Sequence, residues 1–153
     1  VDMAAMFALI DTPSEITDAP GAKPLAVDGA AVEFDNVVFG YDPDRTILNG
    51  VSFAVAPGQT LAIVGPSGAG KSTIARLLYR FYDPQGGAIR IDGQDIRQVT
   101  QASLRAAIGI VPQDTVLFND SIGYNIGYGR EGATAEDIAA ATRGAALDDF
   151  IAR

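Results

Sequence analysis

Met3, Met6, Phe7 and Ile10 recur at helical spacing, which predicts that residues 1–10 form the amphipathic end of a helix. Residues 11–29 are broken by Pro13, Pro20, Gly21, Pro24 and Gly29, show no period, and read as an extended linker. The folded body is therefore expected to begin near Ala30. Residues 32–39 are rich in Val and Phe and residues 47–55 alternate apolar with polar. They predict two antiparallel strands joined by the turn Gly40-Tyr41-Asp42-Pro43-Asp44. Residues 60–64 form a short, nearly unbroken apolar run, the pattern of a strand buried on both faces, and a Gly-rich loop then leads into Ile74, Leu77, Leu78 and Phe81 at helical spacing.

Beyond the break Asp83-Pro84-Gln85-Gly86-Gly87, residues 88–91 and 94–96 predict a hairpin about Asp92-Gly93. Residues 103–107 predict a short helix, and residues 108–111 a second buried strand ended by Pro112. From Ser121 onward short Gly-punctuated helices are expected, one of them starting at Thr134 with Glu136 and Asp137 in its first turn. Asp83, Asp92 and Asp95 all lie near turns and read as turn or cap residues rather than catalytic acids.

With 153 residues, 48% of them apolar and 20% charged, the chain is long enough to bury a core and unlike a disordered or fibrous sequence. Its net charge of -8 is a poor footprint for neutralising phosphate backbones, so nucleic acid is not expected as a partner. The charge is uneven. Residues 1–44 hold nine acids and one base, whereas residues 45–153 hold ten of each. The absence of Cys excludes disulfides and thiolate metal sites, and the absence of His excludes imidazole as base, ligand or pH switch. The apolar stretch at the start is far shorter than the roughly 20 residues that span a bilayer.

Gly65-Pro66-Ser67-Gly68-Ala69-Gly70-Lys71-Ser72 matches G-x-x-x-x-G-K-[ST] in full, between a predicted strand and a predicted helix as that motif requires. Each residue type has a physical task. Glycines let backbone N–H groups curl around an anion, the helix N-terminus adds positive potential, Lys71 brings a point charge to β and γ phosphates, and Ser72 offers a hydroxyl to Mg²⁺. A nucleoside triphosphate with Mg²⁺ is the implied ligand class, and no Asn-Lys-x-Asp for guanine occurs.

The stretches VEFDNVVFGYDPDRTILNGVSFAVAPGQTLAIVGPSGAGKSTIARLLYRFYDPQGGAIRIDGQDI and IGIVPQDTVLFNDSIGYNI resemble the ATP-binding cassette (ABC) ATPases, specifically the nucleotide-binding domain of an exporter half-transporter. The resemblance runs the length of the chain and implies an α/β fold: a P-loop NTPase core with an antiparallel β subdomain and the start of a helical subdomain. It implies ATP and Mg²⁺ as cofactors, with Lys71 and Gln113 in catalytic roles. Nucleotide contacts fall on Tyr41, Arg45, Ile47, Gly65, Ser67, Gly68, Ala69, Gly70, Lys71, Ser72 and Thr73, and metal contacts on Ser72 and Gln113. Tyr41 matches the aromatic that this family stacks on adenine, and Gln113 the Q-loop glutamine, a neutral amide that reaches both Mg²⁺ and the attacking water.

Residues 118–126 resemble the part of the helical subdomain that receives coupling helices of a transmembrane domain. Tyr124, Ile126 and Tyr128 read either as an apolar docking surface or as that subdomain's own core. By the same resemblance residues 1–10 end a helix from a preceding transmembrane domain, residues 11–29 are the linker, and residues 30–153 are the N-terminal part of the nucleotide-binding domain, with its helical subdomain starting at 118. A Walker B Asp-Glu, a Leu-Ser-Gly-Gly signature and a switch His are not found, which is expected if the sequence is cut ahead of them.

The implied parent is an ATP-hydrolysing homodimeric exporter, partnered by its own transmembrane domain and a second nucleotide-binding domain, on the cytosolic or matrix face of a membrane, here a bacterial inner membrane. The entry MFALIDTP and the run LLYRFYDPQGGAIRIDGQDI look most like the mitochondrial-type exporters of iron-sulfur, heavy-metal and glutathione-linked substrates. Lipid and multidrug exporters stay open as alternatives. So does a nucleotide-binding module without turnover, for these residues alone.

Overall fold

The computed structural model describes Met3, Phe7 and residues 12–113 and 116–151. The helix expected over residues 1–10 lies outside the described residues apart from Met3 and Phe7. The chain divides into two compact units, Val1–Gly109 and Ile110–Arg153.

The first unit is built on an antiparallel sheet in the order β2-β1-β3-β4, with β1 Val32–Phe39, β2 Leu48–Val55, β3 Gly86–Ile91 and β4 Gln94–Asp95. The expected pairing of the first two strands is present, with Val32 opposite Val55 and Phe39 opposite Leu48. Strict alternation along β1 fails at one place. The buried residues are Phe34, Val37 and Phe39, and the register shifts on both sides of β1 where Asn36 takes a positive φ of 48°. This is a β-bulge, which spends one extra residue to keep two stretches of the strand facing the core. Gly87 on β3 makes room for it. A Cβ there would lie 2.3 Å from the carbonyl oxygens of both Asp35 and Asn36, and its φ is +74°.

Helix α1, Lys71–Leu78, and helix α2, Gln101–Ala106, close the core by inserting Leu77 and Leu104, both with no exposed surface, into the cluster of Phe34, Phe39, Leu48 and Ile89. Asp95 is held in a bidentate pair by Arg97 and Asp83 pairs with Arg80, so these acids act within turns, as read from the sequence.

Residues 12–31 do more than link. They run extended but are tied to the body. Lys23 forms a parallel bridge to Val99, the Thr100 N–H donates to the Lys23 carbonyl, and the Leu25 N–H donates to Ser103 Oγ. Asp92, at the β3–β4 turn, accepts from the N–H groups of Asp28, Ala30 and Ala31. Gln101 and Arg80 reach Asp18 and Thr17 in turn. The first ordered contacts of the body therefore precede Ala30.

Two expected strands are absent from the ladders formed among the described residues. Residues 60–64 and 108–111 are in no strand, and Val64 and Val111 are 88% and 96% exposed. A strand exists through hydrogen bonds to neighbours on its edges. No described strand pairs with these two apolar runs, so neither is drawn into a sheet.

The second unit is helical: α3 Ile122–Gly127, α4 Ala135–Gly144 and α5 Asp148–Ile151. Ser121 caps α3 by accepting from the Tyr124 N–H, and Asn125 clasps the preceding turn through the Phe118 N–H and carbonyl. Thr134 and Asp137 form a capping box at the start of α4, as their spacing predicts. No helix among the described residues is long and apolar enough to cross a membrane.

Candidate functional site

The loop from Gly65 to Gly70 runs straight into α1, and Gly70 is the hinge between them. It takes a φ of +86° as the N-cap residue, and a Cβ there would come within 2.8 Å of Leu48 Cδ2 and 3.0 Å of Ile47 Cγ2. Only glycine meets both conditions without displacing the β2 entry. The helix it opens has no capping side chain and no acid in its first turn. The first-turn N–H groups thus lack intrahelical partners and point from a positive helix end toward whatever sits in the loop. Lys71 extends over the loop and donates from Nζ to the Gly65 and Pro66 carbonyls at 2.8 and 2.7 Å. Ser72 is exposed beside it, whereas Thr73 is buried.

These features fit a polyphosphate. First-turn amide donors and an ammonium over a Gly-rich loop form a cradle for an anion. The fit to Mg²⁺ is narrower. Among the described residues there is no cluster of three carboxylate or imidazole ligands, so the chain offers the Ser72 hydroxyl, with phosphate and water oxygens needed to complete an octahedron.

Tyr41 stands at the turn between β1 and β2, against α1. Its ring meets Phe39 and Tyr82 edge to face, at centroid distances of 5.0 and 5.2 Å and interplanar angles of 87° and 81°. Its hydroxyl lies 3.3 Å from Thr73 Oγ1 and accepts from Arg76 Nη1 at 3.0 Å. Enough of the ring stays exposed, 43% for the residue, to receive a flat partner. Ile47 is half-buried against the core, its N–H bonded to the Phe39 carbonyl. Arg45 is exposed at the end of the turn, with its N–H on the Asp42 carbonyl.

The first unit thus brings Tyr41, Ile47, Gly70 and Thr73 together. Gln113 is exposed in the second unit. Tyr124 and Tyr128 are exposed too and form an aromatic group with Phe118, while Ile126 is half-buried. Sequence reasoning passed over Arg76, whose partner is 35 positions away. Its only local signal is its place on the helix that follows the loop.

The sequence profile of the ABC transporter family matches residues 48–153. The chain belongs to this family. It is 68% identical over its whole length to an ATM1-type heavy metal exporter of Novosphingobium aromaticivorans, covering 25% of that protein. It is 59% identical over 99% of its length to human ATP-binding cassette sub-family B member 6, covering 18% of it. To the mitochondrial iron-sulfur clusters transporter ATM1 of Yarrowia lipolytica it is 52% identical, covering 21%. A solved bacterial Atm1-family ABC exporter with ATP bound superposes on 99% of the chain with a TM-score of 0.94 at 68% identity, over 26% of its own length. The fold is accordingly a partial α/β ABC ATPase fold. The chain spans about a quarter or less of the length of these relatives.

Proposed function

We propose that this chain is the ATP-binding part of an ABC exporter of the Atm1 type, and that residues 65–73 hold the triphosphate of Mg-ATP. One observation carries the reading: a complete Gly65–Ser72 loop whose Gly70 admits no Cβ and whose helix starts without a cap, under the Lys71 ammonium. Bound ATP supplies the transferable γ-phosphoryl group. Lys71 neutralises charge on the β and γ oxygens, the first-turn amides of α1 orient them, and Ser72 gives the metal one oxygen ligand. Tyr41 offers its ring to adenine beside Ile47 and Arg45. Gln113 contributes a neutral amide that orients water and metal without adding negative charge near the phosphates.

In this reading residues 1–10 end a helix from a transmembrane domain of the same protein, residues 11–29 link it to the cassette, and residues 30–153 are the N-terminal part of a nucleotide-binding domain that pairs with a second copy. The domain works on the cytosolic or matrix face of a membrane, here a bacterial inner membrane. It couples ATP binding and hydrolysis to export of heavy-metal or glutathione-linked solutes. The name of the bacterial relative, a heavy metal exporter, supports the heavy-metal part of that class.

Isothermal titration tests the site. The 153-residue chain is expected to bind Mg-ATP weakly, and Lys71→Ala to abolish the binding heat. Phosphate release by this chain alone is expected at background. Turnover above it would contradict the assignment of the remaining hydrolytic groups to regions beyond these residues.

A further inference from the structure

Tyr41 is held in place from the helix that begins at the phosphate loop. Arg76, one and a half turns into α1, donates to the Tyr41 hydroxyl at 3.0 Å, and its guanidinium carbon lies 5.8 Å from the centre of that ring. Thr73, on the same helix, is within 3.3 Å of the same hydroxyl. The backbone of the turn is closed by the Arg45 and Ile47 N–H groups on the Asp42 and Phe39 carbonyls, and Gln85 holds Gly40, but residues 41 to 46 are exposed, so the Tyr41 side chain is left to its own contacts. Phe39 and Tyr82 limit the ring by edge contacts, which set its tilt but leave it free to slide. The charged hydrogen bond from Arg76 removes that freedom and pins the far end of the ring to the element whose N-terminus faces the phosphates.

We propose that Arg76 is the positioning residue of the base-binding half of the site: it presets the Tyr41 ring at a fixed distance from the phosphate loop and so favours a ligand carrying both an aromatic base and a polyphosphate over polyphosphate alone. The inference rests on the nucleotide-site reading above. Arg76 touches neither base nor phosphate in this role. It acts by lowering the ordering cost that stacking on a loose ring would carry.

The test compares Mg-ATP with Mg-tripolyphosphate, titrated against the protein and its variants. Arg76→Ala is expected to weaken ATP binding about three- to tenfold, the net range of one ordinary hydrogen bond, while leaving tripolyphosphate affinity within error. In a Tyr41→Phe background, where the accepting hydroxyl is gone, Arg76→Ala is expected to have little further effect, and with Tyr41 intact Arg76→Lys is expected to recover part of the loss. Equal weakening toward both ligands, unchanged ATP affinity, or an undiminished effect in the Tyr41→Phe background would overturn the positioning role and leave the nucleotide site standing. If the unsubstituted protein binds ATP no better than tripolyphosphate and Lys71→Ala changes neither, the nucleotide-site reading falls and takes this inference with it.

Discussion

Arg80 occupies a position that glycine ordinarily takes. It follows α1 with a φ of 55°, its N–H bonded to the Leu77 carbonyl and the next N–H, of Phe81, bonded to Arg76, the pattern of a Schellman helix end. A left-handed conformation is unfavourable for a side chain of this size. Burial with Asp83 at 2.9 Å and bonds to the Thr17 and Val99 carbonyls offset it. Asp92 anchors the same entry segment from the other side. The amides of Asp28 and Ala31, helped by Ala30, hold its carboxyl below the ordinary carboxylate pKa. A depressed folded pKa means that this stabilisation is full above the ordinary value of about 3.9 and is lost as pH falls through the lower one. Asp92→Asn is therefore expected to unfold at lower urea than the parent at pH 7, with the difference shrinking below the ordinary carboxylate range. A gap independent of pH would show that the charge is not what matters. At this scale the Gly65–Ser72 motif was legible as a motif, because it lies in eight consecutive residues. The contacts of Arg76 and Arg80 were not, because they depend on where distant backbone arrives.

Elements were legible where their periodicity is satisfied inside the unit. β1 pairs with β2 and alternates on either side of its bulge, and Ile74, Leu77 and Leu78 of α1 turn toward the core, so pattern and structure agree there. The bulge in β1 escapes pattern reading because its cause lies on β3, in a glycine that clears space for two carbonyls. Gly87→Ala is expected to cost about 2 kcal/mol or more, since it adds a steric clash to an unfavourable φ. The loss would appear as a lower urea midpoint at constant slope. Residues 60–64 and 108–111 show the opposite error. Their composition announces burial on two faces, but composition names a need and cannot provide the neighbour that meets it.

Each unit carries part of that unmet need as exposed apolar side chains. Val64 in the first unit and Val111, Val116 and Leu117 in the second are between 71% and 96% exposed. The isolated 153-residue chain is expected to bind anilinonaphthalene sulfonate in its native state and to self-associate at micromolar concentration. A monomer by light scattering with no dye response would contradict this.

The Arg80 anchor also has a mechanical side. Thr17 is hydrogen-bonded to a residue two positions past the end of α1, and α1 is eight residues, about 12 Å, long. A pull on the chain ahead of Thr17 therefore has a route to the loop over residues 65–70 through α1, bypassing more than fifty residues of intervening strand and turn.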